Sequence, residues 1–287
     1  IWYPGIPNYE QDQGRTWEAM GLNKPFSGNA HPNRQGHMLR VNPHHPEEVW
    51  SGTTGEGLWK YDGETWSQVP DIPPENVVRS ICFDPGDSSL VYVAVSHAEF
   101  RGISYGMPEF DGIYRSVDAG RSFSRIEGIP EGYDQFTEIS LSKNGDKLFV
   151  STLDSHGSKG GIFRLDRPAT GMKWEDITPV EGGFRTVNTS PHHNEVVMTA
   201  RGSYASLSYF FVSRDGGDSW IRKDQYEVHN IIPWHPDTYP GSAISRIAFD
   251  PVDPERIYFT DWYSVYRTND WTADTILWSN EIANGHE

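Results

Sequence analysis

The residues able to do chemistry in this chain collect in a few segments where carboxylates and cations alternate with aromatic rings. Ser96 to Asp111 carries His97, Glu99, Arg101 and Tyr105; Leu153 to Gly160 carries Asp154 and His156; Arg201 to Ser208 carries Arg201 and Tyr204. Asp261, Trp262 and Tyr263 form a short acidic and aromatic corner, and Glu56 joins them earlier in the chain. Further polar and aromatic groups stand at His31, Asn33 and Arg34, and between Gln225 and Gly241 at His229, Trp234 and His235. Rings beside carboxylates and amides suit carbohydrate, because the C–H face of a sugar stacks on a ring while its hydroxyls take hydrogen bonds. The candidate substrate-binding residues are therefore Trp262, Tyr263, Asp261, Tyr204, Arg201, Asp154, His97 and Glu56. For each ring taken singly, packing of one loop on another is the competing explanation.

Other chemistries find less support. His44-His45 and His192-His193 are adjacent pairs in strand-to-strand turns and lack third and fourth ligands, so no metal is expected there. The chain has no glycine-rich phosphate loop, nucleophile elbow or Cys/His metal motif, and no cofactor is expected. Cys82, the single cysteine, lies in the apolar run Ser80-Ile81-Cys82-Phe83 and reads as a buried, inert thiol. Twenty-four basic against forty acidic residues give a net charge of −16, which argues against nucleic acid and anionic membranes as partners. No apolar stretch approaches the roughly 20 residues of a membrane span.

These segments need a scaffold, and the sequence supplies one by repetition. A turn of aspartate, glycine and aromatic recurs about every fifty residues, which is the period of a repeat architecture. Its clearest copies are Ser116-Val117-Asp118-Ala119-Gly120-Arg121-Ser122-Phe123 and Ser213-Arg214-Asp215-Gly216-Gly217-Asp218-Ser219-Trp220. Asp12 to Trp17 is a third, and looser copies run from Asp62 to Trp66, from Asp166 through Gly171 to Trp174, and at Asn269-Asp270-Trp271. The carboxylate can accept amide hydrogen bonds inside the turn and glycine supplies positive φ, so these aspartates are structural.

Short alternating runs precede each turn, as in Ile81-Cys82-Phe83-Asp84-Pro85 then Val91 to Val95, and Ile247-Ala248-Phe249-Asp250-Pro251 then Ile257 to Thr260. A third run follows, such as Gly112-Ile113-Tyr114-Arg115 or Gly161-Ile162-Phe163-Arg164. Period-two patterning bounded by Pro, Gly, Asp and Asn reads as strand. Four antiparallel strands per repeat predict an all-β fold, a β-propeller of four-stranded blades. Half a blade is expected in residues 1–20 and complete blades in 21–70, 71–127, 128–180, 181–224 and 225–287. The Asp turn and the turn between strands one and two belong to one end of each blade. The loop between strands two and three belongs to the other end, where the candidate site residues lie. An incomplete propeller would expose strand edges, so a further part of a longer polypeptide or a companion chain is expected as a partner.

The order of these features resembles the N-terminal propeller of glycoside hydrolase family 74, the two-propeller xyloglucan hydrolases, within the wider Asp-box (BNR) group. The resemblance is carried by Gly36-His37-Met38-Leu39-Arg40-Val41-Asn42-Pro43, by Gly57-Leu58-Trp59-Lys60, by Lys159 to Arg164 continuing to Trp174-Glu175-Asp176-Ile177-Thr178-Pro179, and by Ile247 to Pro251 leading to Tyr266-Arg267-Thr268-Asn269-Asp270. It implies seven blades in the complete propeller, a secreted or cell-envelope location, and a polysaccharide or glycan ligand. It also implies inverting hydrolysis of a β-1,4-glucan, endo or exo, by two aspartates about 6.5–9.5 Å apart. The alignment places both aspartates outside this chain, before Ile1 and after Glu287, so no residue here is assigned a catalytic role. Where many members carry a tryptophan pair, this chain has only Tyr204 in Arg201-Gly202-Ser203-Tyr204-Ala205-Ser206. The alternative is a non-catalytic propeller of the sortilin or assembly-factor kind that binds protein or glycan. A self-contained hydrolase using Glu56, Glu99, Asp154 or Asp261 comes third.

Overall fold

The computed structural model describes residues 8–9, 18–24, 38–100, 103–154, 158–171, 173–201, 209–223, 226–229, 244–261 and 265–280. Their regular secondary structure is strand apart from one 3-10 turn. A short pair, β1 (Asn8–Tyr9) with β2 (Glu18–Ala19), precedes five antiparallel blades. Blade I comprises β3 (Leu39–Asn42), β4 (His45–Gly52), β5 (Leu58–Tyr61) and β6 (Trp66–Gln68). Blade II begins with β7 (Val77–Phe83) and β8 (Val91–Ser96), then inserts a hairpin of β9 (Ala98–Phe100) and β10 (Ile103–Tyr105) and a 3-10 turn, Pro108–Phe110. It closes with β11 (Gly112–Ser116) and β12 (Ser124–Ile126). Blade III is β13 (Phe136–Leu141), β14 (Lys147–Thr152), β15 (Gly161–Asp166) and β16 (Trp174–Asp176). Blade IV is β17 (Phe184–Thr189), β18 (Val197–Arg201), β19 (Tyr209–Ser213) and β20 (Ile221–Lys223).

Blade V departs from the expected pattern. β21 (Tyr226–His229), in a segment read from the sequence as loop, pairs in parallel with the outer strand β25 (Ile276–Asn280), beyond β22 (Arg246–Phe249), β23 (Ile257–Thr260) and β24 (Val265–Thr268). The extra strand covers a ladder edge that would otherwise be open to pairing with another chain.

By its contacts the chain forms two compact units, one of Ile1–Phe83 with Asp87–Ile126, the other of Asp84–Gly86 with Glu127–Glu287. Blades I and II lie in the first and blades III, IV and V in the second. Within each unit the core is the apolar filling between successive blades. Trp50 and Leu58 of blade I pack with Val78, Ile81, Val91, Val93 and Val95 of blade II. Met198, Phe210 and Val212 of blade IV pack with Ile247, Phe259 and Trp278 of blade V. This explains why β7 and β13 are buried along their whole length: a strand enclosed on both faces reads as continuous rather than alternating burial.

The turn from Asp12 to Trp17 lies outside the described residues; the described Asp turns behave as the sequence predicts, with one exception. In blade IV, Asp215 Oδ1 accepts from the Ser219 amide at 2.9 Å and from the Ser213 hydroxyl at 2.7 Å, while Ser213 Oγ accepts from the Gly217 amide at 2.7 Å. Asp118 of blade II repeats this with Ser122, Ser116 and Gly120. Asp62 and Asp270 accept amide hydrogen bonds from the two or three residues that follow. Asp166 of blade III differs, because its carboxylate pairs with Arg164 Nε at 3.1 Å instead of closing its own turn. In the insertion before Trp174 the amides of Thr170 and Gly171 donate to the Arg167 carbonyl instead.

The turns of blades II, IV and V are also tied within their blades, and that of blade IV binds blade III. The amides of Ala119, Gly216 and Trp271 donate to the carbonyls of Ser89, Glu195 and Glu255, tying the turn to the one between strands one and two of the same blade. Gly217 rests on Ile177 of blade III, and the Trp220 indole donates to the Ile177 carbonyl at 2.7 Å. Arg164 of blade III donates to the Gly216 carbonyl at 2.8 Å and to Asp218 at 2.6 Å. The Asp turn therefore joins blades as well as strands.

These bonds carry a pH signature. The hydroxyl and amide of Ser122 and the hydroxyl of Ser116 hold Asp118 at a pKa of about 2, and Ser219 and Ser213 do the same for Asp215. An unfolded aspartate titrates near 3.9, so the contribution is fully present above about pH 4 and is lost as the pH falls through 2. Asp215→Asn should flatten the dependence of the denaturation midpoint on pH between 4 and 2 while leaving it nearly unchanged in shape above pH 5. Equal slopes for the variant and the parent would refute this assignment.

Candidate functional site

Four of the five described candidate residues occupy the predicted loops between strands two and three, and the fifth, Arg201, is the last residue of a second strand. His97 directly follows β8, Asp154 follows β14 by two residues, Arg201 ends β18, Asp261 directly follows β23, and Glu56 lies between β4 and β5. Tyr204, Trp262 and Tyr263 lie outside the described residues, as do Arg101, His156, Trp234 and His235.

In the first unit, Glu56 sits in a tight turn built by Thr53, whose hydroxyl donates to the Gly57 carbonyl at 2.7 Å and accepts from the Glu56 amide. Its carboxylate pairs with Lys24 at 2.7 Å, and the same ammonium lies 4.5 Å from the centre of the Trp59 ring. The Trp59 indole in turn donates to the Glu56 carbonyl at 2.8 Å. Here carboxylate, cation and aromatic ring already satisfy one another.

His97 is held more firmly. Asp111, almost fully buried, accepts from the His97 ring Nδ1 and from its backbone amide, and from Asn76 Nδ2 at 3.0 Å. Asn76 also clamps Met107 by accepting from its amide and donating to its carbonyl, both at 3.0 Å. Beneath lies Arg79, 2% exposed, which donates to the His97 carbonyl at 3.2 Å. Burial lowers its pKa to about 10, and the charge of Asp111 opposes that shift. The carboxylate on Nδ1 fixes the ring orientation of His97.

In the second unit, Asp154 and Arg201 come to the same short stretch of backbone, Gly182-Gly183. The Arg201 guanidinium lies against Gly182, with Nε 2.5 Å and Nη2 2.8 Å from where a side chain would begin. The Asp154 carboxylate lies against Gly183, with Oδ1 2.1 Å from the corresponding point. Arg185, 8% exposed, stands next to them; burial lowers its pKa and Asp154 is the charge that counteracts this. Asp261 is not part of this group. It receives the hydroxyl of the buried Tyr266, whose pKa is raised by desolvation and by that carboxylate.

Arg79 and Arg185 are the buried neighbours of the candidate residues that sequence reasoning missed, and both arise from one backbone device. Pairing of β7 with β8 skips Arg79, and pairing of β17 with β18 skips Arg185; β13 skips Thr137 in the same way. Such bulges insert one unpaired residue and re-aim its side chain. The available signal was a cation inside an apolar strand, in Val78-Arg79-Ser80 and Phe184-Arg185-Thr186. On the opposite end of blade IV, His192 Nε2 donates to the Asp250 carbonyl at 2.8 Å, which gives that histidine a structural partner.

No family model matches the sequence. It is 25% identical over 307 aligned positions to a xyloglucanase of Paenibacillus sp, covering 91% of this chain and 30% of the relative. It is 28% identical to an oligoxyloglucan-reducing end-specific xyloglucanase of Emericella nidulans, covering 83% of this chain and 33% of the relative. The chain thus spans about a third of the length of these curated relatives. Among solved structures, the GH74 xyloglucanase from Xanthomonas campestris superposes with a TM-score of 0.77 at 22% identity, over 93% of this chain and 42% of that one. The GH74 enzyme of Niastella koreensis gives 0.73 at 22% identity, with 93% and 41% covered. The fold is accordingly an all-β propeller of four-stranded antiparallel blades, and over nine-tenths of its length this chain resembles the enzymes of glycoside hydrolase family 74.

Proposed function

We propose that this chain is part of a secreted or cell-envelope glycoside hydrolase that cleaves a β-glucan-type polysaccharide, with xyloglucan the leading candidate. The observation that carries the reading is similarity to enzymes named xyloglucanase along nearly the whole chain. The repeated Asp turns fit an Asp-box propeller that would reach seven blades with further polypeptide. The strand two to three loops would meet the glycan, through Glu56 and His97 in the first unit and through Asp154, Arg201 and Asp261 in the second, and the sequence adds Tyr204, Trp262 and Tyr263 as candidates. Two aspartates outside this chain would act as acid and base, one protonating the leaving oxygen and the other activating water, with inversion at the anomeric carbon.

The test uses the full-length protein. Incubated with xyloglucan and, separately, with unbranched β-1,4-glucan, it should release new reducing ends, and proton NMR of the first products should show the α-anomer. A β-anomer first would overturn inversion. No release from either polymer would overturn the hydrolase reading and favour a binding propeller.

A further inference from the structure

Asp154 and Arg201 differ from every other described candidate in one respect: among the described residues neither side chain makes a direct hydrogen bond or close ion pair, and Arg185 acts on Asp154 as a nearby charge. Glu56 is spent on Lys24, His97 on Asp111 and Asp261 on Tyr266. Yet the two stand one residue apart along the backbone, a guanidinium on Gly182 and a carboxylate on Gly183. We propose that they form a clamp for the vicinal hydroxyls of one neutral pyranose in the bound glycan, a reading that rests on the function proposed above.

The floor of this clamp is bare backbone. Gly182 has φ +131, and a side chain on Gly160 would meet the Gly183 Cα at 2.3 Å, so three glycines approach one another where ordinary residues could not. The bulge at Arg185 fixes the walls. It interrupts the ladder immediately after Phe184 pairs with Arg201, and so sets a buried guanidinium beside Asp154 as its counter-charge. Both walls are planar groups of defined hydrogen-bonding direction, one only donating and one only accepting.

That pairing selects the ligand. A lone arginine would suit a uronate, whose carboxylate it could grip through two parallel bonds. Asp154, lying against the next glycine, repels an anion, and the net charge of −16 adds to the repulsion. A vicinal diol meets both demands, since one hydroxyl donates to the carboxylate and its neighbour accepts from the guanidinium. Hydrogen bonds to charged groups are among the stronger ones, so each is expected to be worth at least about tenfold in affinity.

Asp154→Asn and Arg201→Met in the full-length protein test the clamp, with thermal melts to confirm that each variant folds like the parent. With xyloglucan as substrate, KM should rise roughly 10- to 100-fold while kcat changes less than about threefold, because ground-state hydroxyl contacts are lost. Folded variants with an unchanged KM would overturn the clamp while leaving the hydrolase reading intact. A parent protein inactive on β-glucans would instead remove that reading, and the clamp with it. A third arm compares the β-1,4-glucose hexamer with its C6-oxidised, uronate counterpart by calorimetry. Tighter binding of the uronate by the parent would also overturn the proposal, because it would make Arg201 a carboxylate receptor.

Discussion

Gly120→Ala is expected to destabilise the first unit by about 2–5 kcal/mol. The residue holds φ +81, where an L side chain costs ~1–2 kcal/mol, and its new Cβ would stand 2.1 Å from Trp50 Cη2 and 2.8 Å from Cζ2. Trp50 cannot yield easily. It is fully buried, packs edge-on against Phe83 with ring centres 5.5 Å apart, and its indole donates to Glu48 at 2.5 Å. Overpacking of such a site adds ~1–3 kcal/mol. Gly132→Ala is the matching control: φ is +87, but nothing lies within 4 Å of the new Cβ, so only the backbone cost of ~1–2 kcal/mol remains. Urea denaturation followed by tryptophan fluorescence would compare them. Equal losses in the two variants would mean that the Asp turn of blade II does not lean on the tryptophan of blade I.

The second large effect is expected at Glu138, a fully buried carboxylate in β13. Its Oε2 accepts from the Thr186 hydroxyl at 2.5 Å and from the Val187 amide at 3.2 Å, and Thr186 Oγ1 accepts in turn from the Ile247 amide at 3.3 Å. One side chain of blade III thus satisfies donors in blade IV, which extend the connection to blade V. Glu138→Ala leaves a hydroxyl and an amide without their acceptor in a dry environment, at a cost of ~1–3 kcal/mol for each. Glu138→Gln keeps an acceptor oxygen at nearly the same place and should lose no more than about half as much. If both variants denature at the parent's urea concentration, the carboxylate does not link these blades.

Legibility in the sequence followed the range of the forces involved. Val91, Val93 and Val95 alternate within one strand and Asp215 reaches residues only four positions away, so both are visible in a few letters. The placement of Asp154 just beyond its strand and of Arg201 at the end of its strand followed from the same short-range pattern. Their meeting at Gly182-Gly183 did not, because it needs two blades and an interblade turn that approach without side chains. β21 was hidden for a similar reason. Its partner lies fifty residues on, Tyr226 opposite Ile276, and parallel pairing at an outer edge asks little of the local composition. Asp166 misled in the opposite direction, since the letters of the turn were present but an insertion had given its carboxylate to Arg164.

The recurrent bulge has a bearing on how such a protein could acquire new ligands. Arg79, Thr137 and Arg185 each occupy a position that owes nothing to the ladder on its partner strand, since the register resumes at the following residue whatever stands there. An exchange at these positions alters charge or reach near the loop end without shifting a single cross-strand pair. Thr137 already shows the range, turning inward to bond the Ser151 and Phe184 carbonyls, both at 3.0 Å, where its counterparts carry guanidinium groups. Three blades therefore offer the same adjustable coordinate, and selection can vary the chemistry of each while inheriting its geometry unchanged.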